Sequence, residues 1–185
     1  MYDINGLCRS NVSVVSQDEA NVHEAICLSL AIDAILVPQG AEFATVQRAC
    51  RSGLPIFAIP AGAAVAEYLP RPLEWQRVLV MALCCSLDDR YGIGAVVVYR
   101  ATISISGRCL ECDRELLAGL AGALVGTDRV LALTSPEVVF RLAEKQQYRQ
   151  QLGAVVVDME GQIVQSLLAE RGIAVGTIRV VSDDS

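Results

Sequence analysis

Seven short apolar runs punctuate the sequence, at residues 34–38, 54–60, 78–82, 93–105, 129–135, 154–157 and 173–181. Each is the length of a strand, and most are separated by a stretch with helix signals. Ser16 and Glu19 have capping-box spacing for a helix over 17–31, and a second helix follows 39–42 as far as about residue 50. A short helix leads to Tyr68. Asp113 suits the cap of a helix over "RELLAGLAGAL", and Pro136 suits the first turn of one reaching Leu152. Residues 161–171 read as a helix stopped by Gly172. Apolar strands alternating with helices predict a single α/β domain with a mostly parallel or mixed central sheet and helices on both faces. The composition agrees: 53% of residues are hydrophobic but only 5% aromatic, so Val, Ile, Leu and Ala must build the core.

The same pattern excludes several classes of function. The longest apolar run in the strand-like part, 78–85, is far too short to span a bilayer. No basic segment followed by an apolar stretch opens the chain, so no signal peptide is expected. Net charge is −6, and fourteen of the fifteen basic residues are scattered arginines, which argues against nucleic acid. Lys145 is the one lysine and lies in a polar helical stretch, which argues against Schiff-base chemistry. The seven cysteines (8, 27, 50, 84, 85, 109 and 112) are odd in number, so reduced thiols in a cytoplasm are expected. Cys109 and Cys112 form a CxxC, but with no second pair and His23 as the single histidine, no metal site is expected. His23 also has no thiol placed beside it to form a nucleophile pair.

In α/β sheets ligands gather beyond the carboxyl ends of the strands. Three acidic positions fall there: Glu42, the pair Asp158 and Glu160, and Asp183. Asp158 reads as the cap of the helix that follows. Glu160 lies past the strand, with Gly161 leaving room beside it. Period-two alternation puts Arg179, Val181 and Asp183 on one face of the last strand, where an Arg and an Asp could hold an anion and donate a proton.

"VVVDMEG" at 155–161, followed some twenty residues later by "IRVVSDDS" at 178–185, resembles the purine nucleoside phosphorylase and nucleosidase superfamily. "VLVMALCCSLDDRYGIGAVVVYRA" at 78–101 and "ILVPQGAE" at 35–42 fit the same family in order. The segments look closest to the methylthioadenosine/adenosylhomocysteine nucleosidases and the hopanoid-associated phosphorylases. The resemblance covers 34–185 and leaves 1–33 as an N-terminal extension with a helix. It implies a nucleoside phosphorylase-like fold that cleaves the N-glycosidic bond of a purine nucleoside through an oxocarbenium-like transition state. Glu160 would accept from the ribose hydroxyls and Met159 would pack on the sugar. Asp183 would protonate, or hydrogen-bond to, purine N7. Ser182 and Arg179 would orient Asp183 or approach a phosphate. Glu42 would activate water, and Phe140 falls near the position of an aromatic against the purine. The implied enzyme needs no cofactor, with phosphate as co-substrate if it is a phosphorylase. It is a homo-oligomer, a dimer or higher, that meets neither nucleic acid nor membrane.

Three departures from the family pattern motivate an alternative. Ala82-Leu83-Cys84-Cys85-Ser86 stands where the family has a Gly-rich turn, and Gly94-Ala95-Val96-Val97 where it has Gly-Asp-Val-Val. The sequence stops two residues after Asp183, so the usual C-terminal helix is expected to be lacking. The alternative is a non-catalytic relative that binds a nucleoside or assembles with partners through the retained scaffold.

Overall fold

A computed structural model describes residues 29–50, 53–69 and 74–183 of the chain. Most of the extension 1–33, the start of the helix expected over 17–31, His23, Cys8, Cys27 and Arg51 lie outside the described residues.

The elements run β1 (Ala34–Pro38), α1 (Ala41–Ala49), β2 (Ile56–Ile59), a single 3-10 turn (Gly62–Ala64), α2 (Val65–Tyr68), β3 (Arg77–Ser86), β4 (Val96–Ser104), β5 (Cys109–Glu111), α3 (Arg114–Ala123), β6 (Asp128–Thr134), α4 (Leu142–Leu152), β7 (Val156–Asp158), α5 (Gly161–Ala169) and β8 (Ala174–Asp183). The sheet is mixed. β2, β1 and β3 run parallel, β8 lies parallel to β3 and antiparallel to β4, and β6 lies parallel to both β4 and β7. The end of β3 pairs antiparallel with β7, so β3, β8, β4, β6 and β7 close on one another.

Alternation along the central strands divides the core. Ile35, Val37 and Leu79 pack with Leu116 and Leu120 of α3. Leu36, Val78 and Val80 pack with Val164 and Leu168 of α5. Helices therefore cover both faces, as the sequence predicts. Asp113 caps α3 by accepting from Leu116 N at 2.9 Å. Leu30 and Ile32 are buried in the first cluster, and Asp33 accepts from the backbone N–H groups of Gln76 and Arg77. Among the described residues, no helix is long and apolar enough to cross a membrane.

The structure corrects four details of the sequence reading. β3 does not end at Ala82 but runs to Ser86, so the segment expected as a turn is strand. The run 93–105 contributes β4 over Val96–Ser104 and then turns into a hairpin with β5, which the CxxC had concealed. Helix α4 starts at Leu142 rather than near Pro136. Val139 is drawn into the core beside Leu87, Leu133 and Val157, and Ser135 Oγ donates to Glu137 O at 2.7 Å, so 135–141 is held as a non-helical loop that bends at Pro136 and Glu137. The fourth correction bears on the site. The β3–β8 register shifts between Cys84 and Cys85: Val181 faces Cys84, yet Asp183 faces Cys85. Such a bulge breaks the two-residue period. Arg179 and Val181 are buried while Asp183 is exposed, so the three do not share one environment.

Candidate active site

The carboxyl ends of β1, β3, β7 and β8 meet around a cleft of about 250 Å³. Glu42 borders it from α1, Met159 and Glu160 from the turn after β7, Cys84 and Cys85 from β3, and Ser182 from β8. Glu137, Val138 and Val139 form its opposite lip.

Glu160 immediately precedes α5 and is 5% exposed. Its Oε1 lies 3.2 Å from Arg179 Nη2. The same Nη2 lies 2.8 Å from Asp158 Oδ2, with both side chains essentially sealed from solvent. Asp158 Oδ1 accepts from Thr134 Oγ1 at 2.8 Å and from Gly161 N at 3.1 Å. Thr134 Oγ1 in turn accepts from Gln162 N at 2.8 Å. Asp158 thus serves the opening of α5, as its place in the sequence suggested, and is also the counterion of a buried arginine. The Arg179 guanidinium also sits 5.6 Å from the Tyr99 ring centroid. One cation behind the cleft therefore serves two carboxylates, and the group as a whole is anionic. Burial raises the pKa of Glu160 above the ordinary carboxylate value; Arg179 opposes this, and the nearby Asp158 and Glu42 carboxylates reinforce it. Burial likewise pushes the Cys84 thiol up to about 12, which keeps it protonated and inert.

Glu42 lies in the first turn of α1, and its Oε2 accepts from Leu83 N at 2.7 Å. β1 pairs with β3 only as far as Val80, which leaves that N–H open to a side chain. Met159 is half-buried against Gly62, where an added Cβ would come within 3.6 Å of Met159 Cε. Ser182 Oγ donates to Cys84 O at 3.3 Å.

Three expected residues stand elsewhere than the sequence suggested. Arg179 is fully buried behind Glu160 and is not open to an anion in the cleft. Phe140 is 68% exposed and off the cleft, whose lip is Val138 and Val139 instead, because the loop delays the helix to Leu142. Asp183 is half-exposed just outside the lining, with its Oδ2 3.0 Å from Lys145 Nζ. Lys145 was missed. Its one signal was to be the sole lysine of an arginine-rich chain, four residues before an arginine on the same helix. Arg48 is exposed on α1. Cys109 is exposed and Cys112 buried, and no cluster of three or more metal-ligating side chains occurs among the described residues.

Solved structures share this arrangement of chain. The futalosine hydrolase mutant of Helicobacter pylori superposes with a TM-score of 0.69 at 14% identity, over 80% of this chain and 88% of that one. The 5′-methylthioadenosine/S-adenosylhomocysteine nucleosidase of H. pylori, complexed with a substituted pyrrolidin-3-ol, gives 0.71 at 14% identity, over 81% and 84%. The Campylobacter jejuni nucleosidase gives 0.69 at 14%, over 83% and 86%. No curated protein sequence matches the chain. The model of the phosphorylase superfamily matches residues 38–185, most of the chain, and the chain belongs to that superfamily.

Proposed function

We propose that the chain cleaves the N-glycosidic bond of a purine nucleoside, with water as the acceptor. The observation that carries this reading is that Glu42, Met159 and Glu160 border one cleft, with Glu160 fixed from behind by Arg179. An ionised carboxylate only accepts hydrogen bonds, so Glu160 suits the vicinal hydroxyls of a ribose. Met159 offers an apolar surface to the sugar, and Ser182 lies at the base end. Asp183 meets purine N7 and shares the proton that N7 gains as the base leaves. Glu42 takes the proton of the attacking water.

The charge of the lining supports water over phosphate. The described residues that border the cleft include the acidic residues Glu42, Glu137, Asp158 and Glu160 and no Lys or Arg. Such a surface favours a developing ribosyl cation and repels a phosphate dianion. The similar solved structures named above include two hydrolytic enzymes, which supports the same choice.

A second reading has one observation in its favour. Asp183 is ion-paired to Lys145 and stands outside the lining, an arrangement compatible with a protein that binds a nucleoside without turning it over. Release of free base from methylthioadenosine, adenosylhomocysteine and adenosine, with and without phosphate, separates the readings. Release in every buffer is expected. Release in phosphate alone would overturn the choice of water and turn attention to the arginines. A folded protein that binds these nucleosides but releases nothing would establish the second reading.

A further inference from the structure

Lys145 is the one buried residue of α4, a helix whose other side chains are otherwise polar or partly exposed. Withdrawing an ammonium from water is costly unless it is paired. A lysine on this helix could reach solvent with its long stem, yet its side chain is 4% exposed and its Nζ lies 3.0 Å from Asp183 Oδ2. Docking of the helix does not account for this. α4 is already tied to the loop after β3 by Arg149 Nη2, 2.9 Å from Asp88 Oδ2, and Tyr148 and Leu152 pack on the core beside Val139 and Val157. The carboxylate that Lys145 reaches is half-exposed at a strand end, where an unrestrained aspartate would sample several rotamers. Cys85 of β3 stands beside it as its cross-strand partner.

We propose that Lys145 is a positioning residue for Asp183: its buried ammonium grips Oδ2 and fixes the carboxylate in one rotamer at the mouth of the cleft before the nucleoside arrives. The inference rests on the reading of Asp183 as the group that meets the leaving base. It sets how Asp183 works. Held in place, the Asp183 carboxylate accepts the N–H of the base. As the C1′–N9 bond breaks, its electron pair passes to the purine, N7 carries a proton drawn from solvent, and that proton is shared with Asp183. Water adds to C1′ and gives its proton to Glu42.

The test is an NMR measurement of the Asp183 χ1 rotamer populations from three-bond couplings in the full chain, run beside base release. Asp183 is half-exposed, so Lys145→Met leaves it hydrated rather than buried and unpaired, and the variant is expected to fold. In wild type Asp183 holds one rotamer; in Lys145→Met it averages over several, because the contact that fixes it is lost. Lys145→Arg keeps one rotamer. Arg149→Met, which removes another ion pair of α4, leaves the couplings unchanged. In base release, Lys145→Met lowers kcat by up to about 100-fold, as displaced catalytic groups do, with KM little altered, and Lys145→Arg restores it. Lys145→Met couplings that superimpose on wild type would overturn the proposal, as would Arg149→Met couplings averaged equally far. Absence of base release in the wild type would instead overturn the reading of the site, and the couplings would still decide what Lys145 does to Asp183.

Discussion

Asp158 and Glu160 are two residues apart, both buried, and both paired to Arg179, yet their loss should affect the fold in opposite ways. Asp158→Asn keeps an oxygen for Thr134 Oγ1 and Gly161 N, but turns an NH₂ toward Arg179 Nη2, which now lies 2.8 Å from Asp158 Oδ2. Arg179 is 0% exposed and would keep Glu160 alone, at 3.2 Å. Breaking one side of a buried pair costs about 3–5 kcal/mol. For a chain of this size that lowers Tm by roughly 6–20 °C. Glu160→Gln leaves the closer Asp158–Arg179 pair intact and makes the buried group neutral, so it should cost little. The pH dependence follows. Burial holds the folded-state pKa of Glu160 above its unfolded value, so ionisation of Glu160 works against folding. The stability that the protonated form contributes is complete below the unfolded pKa and is lost as pH rises through the folded one. Glu160→Gln, which cannot ionise, therefore gains on wild type across that window, while weakening the ribose contact proposed for Glu160. Urea denaturation followed by circular dichroism, repeated from acid to neutral pH, measures all three chains. Equal destabilisation by the two substitutions, or none by Asp158→Asn, would refute this account of the Arg179 group.

Two further predictions concern the scaffold around the cleft. A Cβ on Gly161 would run into the Asp158 carboxylate, with both Cγ and Oδ1 at 3.0 Å, so Gly161→Ala should cost about 1–3 kcal/mol in denaturant unfolding despite the better helix propensity of Ala. Asp88 is buried and bound by Arg90 and Arg149, and the Arg90 hydrogen bonds hold its carboxyl below the usual range. Its contribution is therefore present above the unfolded pKa and lost as pH falls through the lower folded value. Asp88→Asn should cost about 1.5–3 kcal/mol at neutral pH, with the gap to wild type closing in acid.

The layered architecture was legible because the apolar runs alternate with capped amphipathic stretches, and burial on both faces leaves that signature in any sequence. Glu42, Met159, Glu160 and Ser182 were legible as lining residues because strand ends and helix starts can be read locally. What escaped depended on register. One shift in the β3–β8 pairing, between Cys84 and Cys85, separates Asp183 from the face that Arg179 occupies, and nothing in "RVVSD" announces it. Phe140 was misplaced for a similar reason. Proline at 136 is compatible with a helix start, but the burial of Val139 keeps the chain in a loop for six more residues. Lys145 was read only as part of a polar helical stretch, because its neighbours along the chain are polar. Its partner Asp183 lies on β8, thirty-eight residues further on.

Among the described residues, the two cations beside the site stand with carboxylates rather than in the cleft lining. Arg179 lies beneath Asp158 and Glu160, and Lys145 lies beside Asp183. A phosphate-binding pocket needs the reverse, with guanidinium or ammonium groups turned toward the ligand. A site that must attract a ribosyl cation needs oxygen atoms toward the ligand, and counterions close enough to keep those oxygens from repelling one another out of position. The carboxylates of Asp158 and Glu42 are near enough to raise the pKa of Glu160, so without Arg179 this cluster would open or take up protons. Backing Asp158 and Glu160 with a buried cation lets the cleft present negative charge and keep its shape. It also explains how a chain rich in arginine can form an acidic cleft: the arginine nearest the chemistry is spent within the protein, where no ligand can reach it.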